Sequence, residues 1–334
     1  MKIWMWPKTS TTNMYSELLS SSLERNGHSV EHFRWIYLFK LKKGEILHFH
    51  WIHRMYQSNI YLVQLFKIFI MIITLIFLKF KGIKLIWTVH NLYPHKLKYK
   101  KAEKFARKMV MFFCNNLIAA GEFIKDEIIK EYNINGNKIK VVPHGHYKEA
   151  YEETNYDYRE QKDINRNSFV FLFIGAIKEY KGVEKLINTF KKIESKKATL
   201  VIAGKPDAKY DYLKQSNSEN IVMDIRFIPD SEIVSIIQAS NIVVLPYEEI
   251  TTSGTAILAT SFQRPIIAPK GRFFEEYFNE DMALLYENNS NEDLLSKMLL
   301  AMETDFNDEA FLELDNKLNW NHVAIETIKV YKRK

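Results

Sequence analysis

Two kinds of apolar pattern alternate along the chain. Short apolar runs recur at Lys2–Trp6, Ile46–Trp51, Lys84–Val89, Asn116–Ala120 and Lys138–Val142. Between them, at about 12–26, 58–80, 99–114 and 121–132, apolar residues fall three and four apart. The first pattern predicts buried strands and the second predicts helices with one apolar face. The second half repeats the alternation, with strands expected near 168–174, 198–203, 221–227, 241–246, 265–268 and 283–286. Strand–helix alternation on this scale predicts an α/β fold with parallel sheets and right-handed crossovers. The stretch 147–167 is polar and poor in aliphatics. The expected layout is therefore a first domain over 1–150, a linker over 151–167, a second domain over 168–316, and a C-terminal helix over 317–334 that packs back toward the first domain.

One segment needs a decision. Residues 60–80, IYLVQLFKIFIMIITLIFLKF, are long enough to span a bilayer. Gln64 and Lys67 interrupt the run, and only three residues separate Phe80 from the strand expected at Lys84. A spanning helix would leave that strand on the wrong side, so a buried or membrane-resting helix is expected.

Length and composition narrow the class. A chain of 334 residues is comfortable for two α/β domains. Its 47% hydrophobic and 26% charged residues are ordinary for a globular protein. The single cysteine, Cys114, suggests a reducing compartment, and MKIWMWPKTS reads as a first strand rather than a signal peptide. The net charge of +7 suits an anionic substrate, a membrane surface or nucleic acid without choosing among them. Seven basic side chains crowd into 96–108, KLKYKKAEKFARK. Phe105, Met109 and Phe112 are expected on the core side there, with Lys101, Lys104 and Lys108 on another. A solvated helix face and contact with anionic lipid are both open readings. With Tyr99 interleaved and no recognised motif, the run does not read as a nucleic-acid site.

The chemistry concentrates in two loops of the second half. FLFIGAIKEYKG (171–182) is a strand that stops at Gly175, a loop carrying Lys178 and Lys181, and Gly182 opening a helical pattern. Glycine lets backbone approach a ligand, a helix N-terminus offers N–H groups, and lysines offer charge, which together suit a diphosphate. The later stretch 241–269 reads strand, polar loop, helix and strand, with Glu248 and Glu249 ahead of Thr252, Ser253, Gly254 and Thr255. Both loops fall at carboxyl ends of strands, where open parallel sheets bind ligands. In the first half, His90 ends an expected strand, and His48 and His50 form an HxH at another. A metal pair is one reading of the HxH, but apart from His90 and His144 no later histidine or aspartate stands at a strand end to complete it, so no metal is expected. Leu47, Phe49 and Trp51 are expected to face the core, with His48 and His50 on the other face. Asn13 and Tyr15 on the first loop, with His50 and Trp51, are candidates to line a ligand site in this half.

Taken together, the chain resembles family-four glycosyltransferases of the GT-B architecture, which have two Rossmann-like domains facing across a cleft. IWTVHN (86–91), ILHFHW (46–51) and IKVVPHG (139–145) are similar to that family's motifs of the first domain, and NMYSELL (13–19) to its Asn-Pro-Tyr start. FIGAIKEYKG looks like the diphosphate loop of the subgroup whose basic residue stands three after the glycine, and PYEEITTSGTAILATSFQRPIIAP like its nucleotide-sugar loop. Departures are visible. Ala176 stands where most members have arginine, and Ile250 and Leu258 stand where two glutamates are usual. The resemblance implies transfer of a sugar from a nucleoside-diphosphate donor to a glycan or polyprenyl-diphosphate-linked acceptor, in surface polysaccharide assembly. Catalysis would involve His90, Lys178 and Lys181, donor binding Gly175, Gly182, Glu248, Glu249, Thr252, Ser253, Gly254 and Thr255, and the acceptor side Asn13, Tyr15, His50 and Trp51. It also implies retention of configuration, no metal cofactor, and a cytoplasmic protein peripheral to an anionic membrane. A sugar-nucleotide epimerase and a non-catalytic binding relative are the alternatives.

Overall fold

The computed structural model describes residues 1–9, 14–94, 97–152, 156–194, 197–215, 219–248 and 252–333. The chain divides into two units, Met1–Gly145 with Lys317–Lys334, and His146–Asn316. Each is a six-stranded, wholly parallel sheet with helical crossovers.

In the first unit the strands are β1 (Lys2–Trp6), β2 (Ser29–His32), β3 (Ile46–Phe49), β4 (Lys84–Val89), β5 (Asn116–Ala119) and β6 (Ile139–Val141), in the order β2-β1-β3-β4-β5-β6. Every residue of β3 and β5 is buried, as expected for a sheet covered on both faces. The HxH pair is therefore buried on one side of β3 while Leu47 and Phe49 are buried on the other. The helices are α1 (Tyr15–Arg25), α2 (His53–Tyr56), α3 (Tyr61–Phe80), α4 (Lys100–Phe113) and α5 (Glu122–Tyr132). The edge strand β2, SVEH, was not expected. Only Val30 of it is buried, so it carries no apolar run to recognise.

The second unit holds β7 (Phe169–Ile174), β8 (Ala198–Ala203), β9 (Ile221–Asp224), β10 (Ile242–Val244), β11 (Ile266–Pro269) and β12 (Ala283–Tyr286), in the order β12-β11-β10-β7-β8-β9. Its helices are α6 (Tyr158–Gln161), α7 (Val183–Phe190), α8 (Asp230–Gln238), α9 (Gly254–Ser261), α10 (Arg272–Tyr277), α11 (Asn291–Ala301) and α12 (Asp308–Leu318). The last helix, α13 (Trp320–Lys332), belongs to the first unit and packs along α1. Ser22 donates to the Trp320 carbonyl at 2.9 Å. A Cβ on Gly145 would come within 2.3 Å of the Trp320 ring, so glycine is what lets the chain pass under that indole.

Two expectations change. The division falls at Gly145 rather than 150, and the segment 151–167 is part of the second unit rather than a free linker. Its polar residues are used internally. Tyr158 is buried and donates to Asp224 at 3.1 Å, Lys162 pairs with the same carboxylate, and Arg159 donates to the Ala239 carbonyl at 2.7 Å. A segment can thus be rich in charge and still be anchored, when its partners lie far along the sequence. The second correction concerns α4. Its buried side is Ala102, Glu103, Ala106, Arg107, Val110 and Met111, while Phe105 and Phe112 are exposed beside Lys101, Lys104 and Lys108. Glu103 and Arg107 pair at 2.8 Å in the interior, and Tyr56 donates to the same carboxylate at 2.7 Å. The pair let two charged residues occupy core positions, which shifted the apparent phase of the helix.

Candidate functional site

The two loops of the second unit come together at the carboxyl ends of β7 and β10. Gly182 has φ +64°, and a Cβ there would lie 2.0 Å from the Pro246 carbonyl oxygen. The turn into α7 is therefore pressed against the loop that leaves β10. The Glu248 N–H donates to the Tyr180 carbonyl at 2.9 Å and ties the loops together. At Gly175, also at positive φ, a Cβ would stand 3.6 Å from Lys181 Nζ and 3.9 Å from Thr255 Oγ1. A cation and a hydroxyl thus converge on bare backbone. Lys181 is held by Tyr247, donating to its hydroxyl at 3.1 Å with Nζ 4.7 Å from the ring centre. Gly204, at the end of β8, sits so close to Gly175 that a Cβ would be 1.8 Å from its carbonyl oxygen.

The other expected donor residues fall around this point with differing roles. Thr252 and Thr255 are half-buried, Gly254 is exposed, and Lys178 and Glu248 are exposed. Ser253 is buried and its hydroxyl accepts from the Ala256 N–H at 3.1 Å, capping α9. The cap uses only the acceptor capacity of this hydroxyl. Glu249, and Ile250 beside it, lie outside the described residues. Lys185 was not anticipated. It is half-buried and near Glu248, its pKa is pushed down by burial against that carboxylate's opposing pull, and Nζ lies 4.8 Å from the Tyr286 ring centre. It stands in the first turn of α7, three residues after Gly182.

In the first unit β1, β3 and β4 lie side by side, with Met5 opposite His48 and Phe49 opposite Trp87. Their carboxyl ends carry a group of aromatic rings around Tyr15. The Tyr15 ring lies 5.6 Å from His50, 4.8 Å from His90, 4.8 Å from His144 and 5.4 Å from Trp320. His50 meets His90, Nδ1 to Nε2, at 3.2 Å, and Trp51 stacks on His90 at 4.9 Å and 14°. His48 bonds Tyr331 at 2.7 Å and Thr88 at 2.8 Å. Burial pushes the His48 pKa down to about 3 and the His144 pKa to about 4, and holds those of His50 and His90 well below the usual value. All four are neutral near pH 7. The chain after His90 is held from below, with Arg107 donating to the Asn91 carbonyl and Tyr132 to the Leu92 carbonyl.

His90 and Trp51 are half-buried and keep accessible surface. Tyr15 and His50, expected to border the acceptor, are 3% and 2% exposed. They pack the histidine group from inside, because α1 and α13 cover this end of the sheet. Asn13 lies outside the described residues. Among the described residues no group of three His, Cys, Asp or Glu side chains is placed to hold a metal. A polar concavity of about 820 Å³ lies at the opposite, amino end of β7 and is lined by Arg159, Arg166 and Arg264. Arg159 and Arg264 are spent on backbone carbonyls there, so it is set apart from the candidate site.

The model of Glycosyltransferase Family 4 matches residues 20–147, and that of Glycosyl transferases group 1 matches residues 155–319. The chain is a family-four glycosyltransferase with the GT-B fold. The GDP-mannose:glycolipid 4-beta-D-mannosyltransferase of Xanthomonas campestris pv. campestris is 24% identical over 275 residues, which cover 78% of this chain and 72% of that one. The capsular polysaccharide biosynthesis glycosyltransferase CapM of Staphylococcus aureus is 29% identical over 173 residues, 48% of this chain and 44% of that one. Among solved structures, a glycosyltransferase of Rickettsia africae superposes with a TM-score of 0.71 at 15% identity, covering 99% and 97% of the two chains. Anabaena HepE in complex with UDP does so with a TM-score of 0.71 at 13% identity, covering 98% and 99%. In this glycosyltransferase the group 1 match contains both loops around Gly175. The family 4 match contains His48, His50, His90 and His144 and leaves out β1.

Proposed function

We propose that the second unit binds a nucleoside-diphosphate sugar with its diphosphate against Gly175, and that the first unit presents a glycan or lipid-linked acceptor. The observation that carries this reading is the convergence of Lys181 and Thr255 on the Gly175 backbone, beside the start of α7 and the capped start of α9. Glycosyl transfer leaves negative charge on the departing phosphate. Cations and N–H donors fixed in advance at that position stabilise the transition state more than the ground state. Lys181, Lys185 and Lys178 supply that charge, so the reaction is proposed to run without a metal. Retention of configuration, with the leaving phosphate assisting the acceptor hydroxyl, is what the motif resemblance implies. Relatives whose names specify GDP-mannose, glycolipid and capsular polysaccharide support a nucleotide-sugar donor and a role in surface polysaccharide assembly.

The acceptor's lipid would bring the enzyme to a membrane. Helix α3 is long and apolar enough to cross a bilayer, yet it is the crossover between the paired strands β3 and β4. It cannot span without dismantling the sheet. It buries Gln64, Ile68, Met71, Leu75 and Leu78 and exposes Leu62, Phe66, Phe69 and Ile73. The exposed Phe105 and Phe112 of α4 stand among lysines. An apolar helix face with adjoining lysines suits an anionic lipid surface, and we place the protein on the inner face of the plasma membrane in this reading.

A thermal-shift series with UDP, GDP, ADP and CMP and their sugar conjugates, with and without EDTA, tests the donor site. Stabilisation by one nucleoside diphosphate that EDTA leaves unchanged, and that Lys181→Ala removes, is expected. No shift with any of them, while a known donor-binding relative responds, overturns the reading. Incubation with that donor and a lipid-linked acceptor, followed by NMR of the product's anomeric centre, decides retention.

A further inference from the structure

We infer that Met5 is a positioning residue that sets the tautomer of His90 through His50, leaving His90 Nδ1 as an acceptor for a sugar hydroxyl. The inference rests on the glycosyl-transfer reading only in naming that hydroxyl. The three side chains come from neighbouring strands and form a row. His50 Nε2 stands 2.9 Å from Met5 Sδ, and His50 Nδ1 stands 3.2 Å from His90 Nε2.

The proton positions follow in order. A thioether sulfur has no hydrogen to give and can only accept. The nitrogen facing it must therefore carry the proton, since two lone pairs at that distance would repel. His50 is neutral, because it is buried and the charge it feels is that of another histidine. A neutral imidazole has one N–H, so its Nδ1 is a bare acceptor. The contact with His90 then requires His90 Nε2 to donate. His90 is neutral as well, so its own Nδ1 is left with a lone pair. Turning the His50 ring by half a rotation would put carbons in place of both nitrogens and lose both contacts.

The bond His90 makes next is set by what remains. No partner for His90 Nδ1 is present among the described residues, and the ring keeps accessible surface. A lone pair on a neutral imidazole accepts from O–H and offers nothing to a phosphate oxygen or a carbonyl. The ligand group chosen is therefore a hydroxyl, as on the transferred sugar or the acceptor. Met5 and its strand lie outside the family 4 match, so this part of the device is outside the matched pattern.

The test compares wild type with Met5→Leu. The swap keeps the volume, and volume-conserving changes of this kind are the ones a core tolerates best. Long-range ¹⁵N–¹H spectra of labelled protein at pH 7.5 report each imidazole's tautomer. In wild type, His50 and His90 are expected wholly in the Nε2–H form, where free imidazole divides between two. In Met5→Leu, both are expected to become mixtures, and kcat to fall roughly tenfold with nucleotide stabilisation unchanged. A protonated His90 Nδ1 in wild type, or a variant with unaltered tautomers, overturns the relay. Altered tautomers with unaltered kcat overturn the assignment of the hydroxyl. A failure of the donor reading would show separately, as absent nucleotide stabilisation in wild type, and leaves the spectra to decide the relay.

Discussion

Lysine 181 is the residue on which the proposed donor site turns most. Its ammonium is fixed by Tyr247 within reach of the Gly175 backbone, so in that proposal its charge would need no reorganisation when phosphate leaves. Removing one preorganised group of this kind costs about 10²–10³ in kcat. Lys181→Ala is expected to show that loss in steady-state turnover. Lys185→Ala, whose charge is partly answered by Glu248, is expected to lose less, and equal losses would put the two lysines on the same footing. Gly182→Ala has no room at all, with backbone oxygen 2.0 Å from the new carbon and φ at +64°. It is expected to lower both melting temperature and activity, whereas Gly27→Ala, with positive φ but open space, lowers melting temperature only slightly. At this scale the backbone was legible where its geometry depends on neighbours in the chain, as in the positive-φ turns at Gly175 and Gly182. The sequence was misread where a residue's role depends on a distant partner. Tyr15 looked exposed because nothing local reveals that Trp320 lies over it.

Helices α3 and α4 show what apolar periodicity can and cannot tell. The length of α3 was legible, and its exposed face follows from too many apolar residues for one sheet to cover. In α4 the pattern pointed to Phe105 and Phe112 as core, and the Glu103–Arg107 pair took those places instead. Periodicity counts side chains by polarity and cannot see two charges cancelling. Removing one partner of such a buried pair costs about 3–5 kcal/mol, because the other is left uncompensated. Glu103→Ala is expected to lose that much by urea unfolding, and Glu103→Leu with Arg107→Leu to recover most of it. A single variant within 1 kcal/mol of wild type would show that water reaches Arg107. For α3 the expectation concerns association. Phe66→Glu with Phe69→Glu, both at exposed positions, should abolish flotation with phosphatidylglycerol vesicles while leaving nucleotide stabilisation intact. Flotation that survives the double change would move the contact off this face.

The two-unit organisation was the most legible property, since strand–helix alternation is written over the whole length. The dividing point was not, because the charged segment 151–167 is held by Asp224 and Ala239, which lie 66 and 80 residues from Tyr158 and Arg159. The division has a consequence for pH dependence. All six tryptophans and the buried His48 and His50 belong to the first unit. Their unfolded pKa is about 6.5. In the folded unit His48 takes a proton only near pH 3, and His50 well below its usual range. The folded pKa is thus depressed for a base, so below pH 6.5 the unfolded chain binds protons that the folded unit refuses, and stability falls as pH falls. Each histidine removes about 1.4 kcal/mol per pH unit, so the two together remove about 4 kcal/mol between pH 6.5 and 5. The second unit holds one histidine, His146, whose pKa burial also pushes down, with Asp315 beside it pulling the other way. Tryptophan fluorescence, which reports the first unit alone, should therefore show a urea midpoint well below its pH 7.5 value at pH 5. Far-UV signal from the second unit should move less. Equal midpoints by fluorescence at the two pH values would mean that the histidine group accepts protons while folded, and with it the neutral His50 on which the relay to His90 depends would be lost.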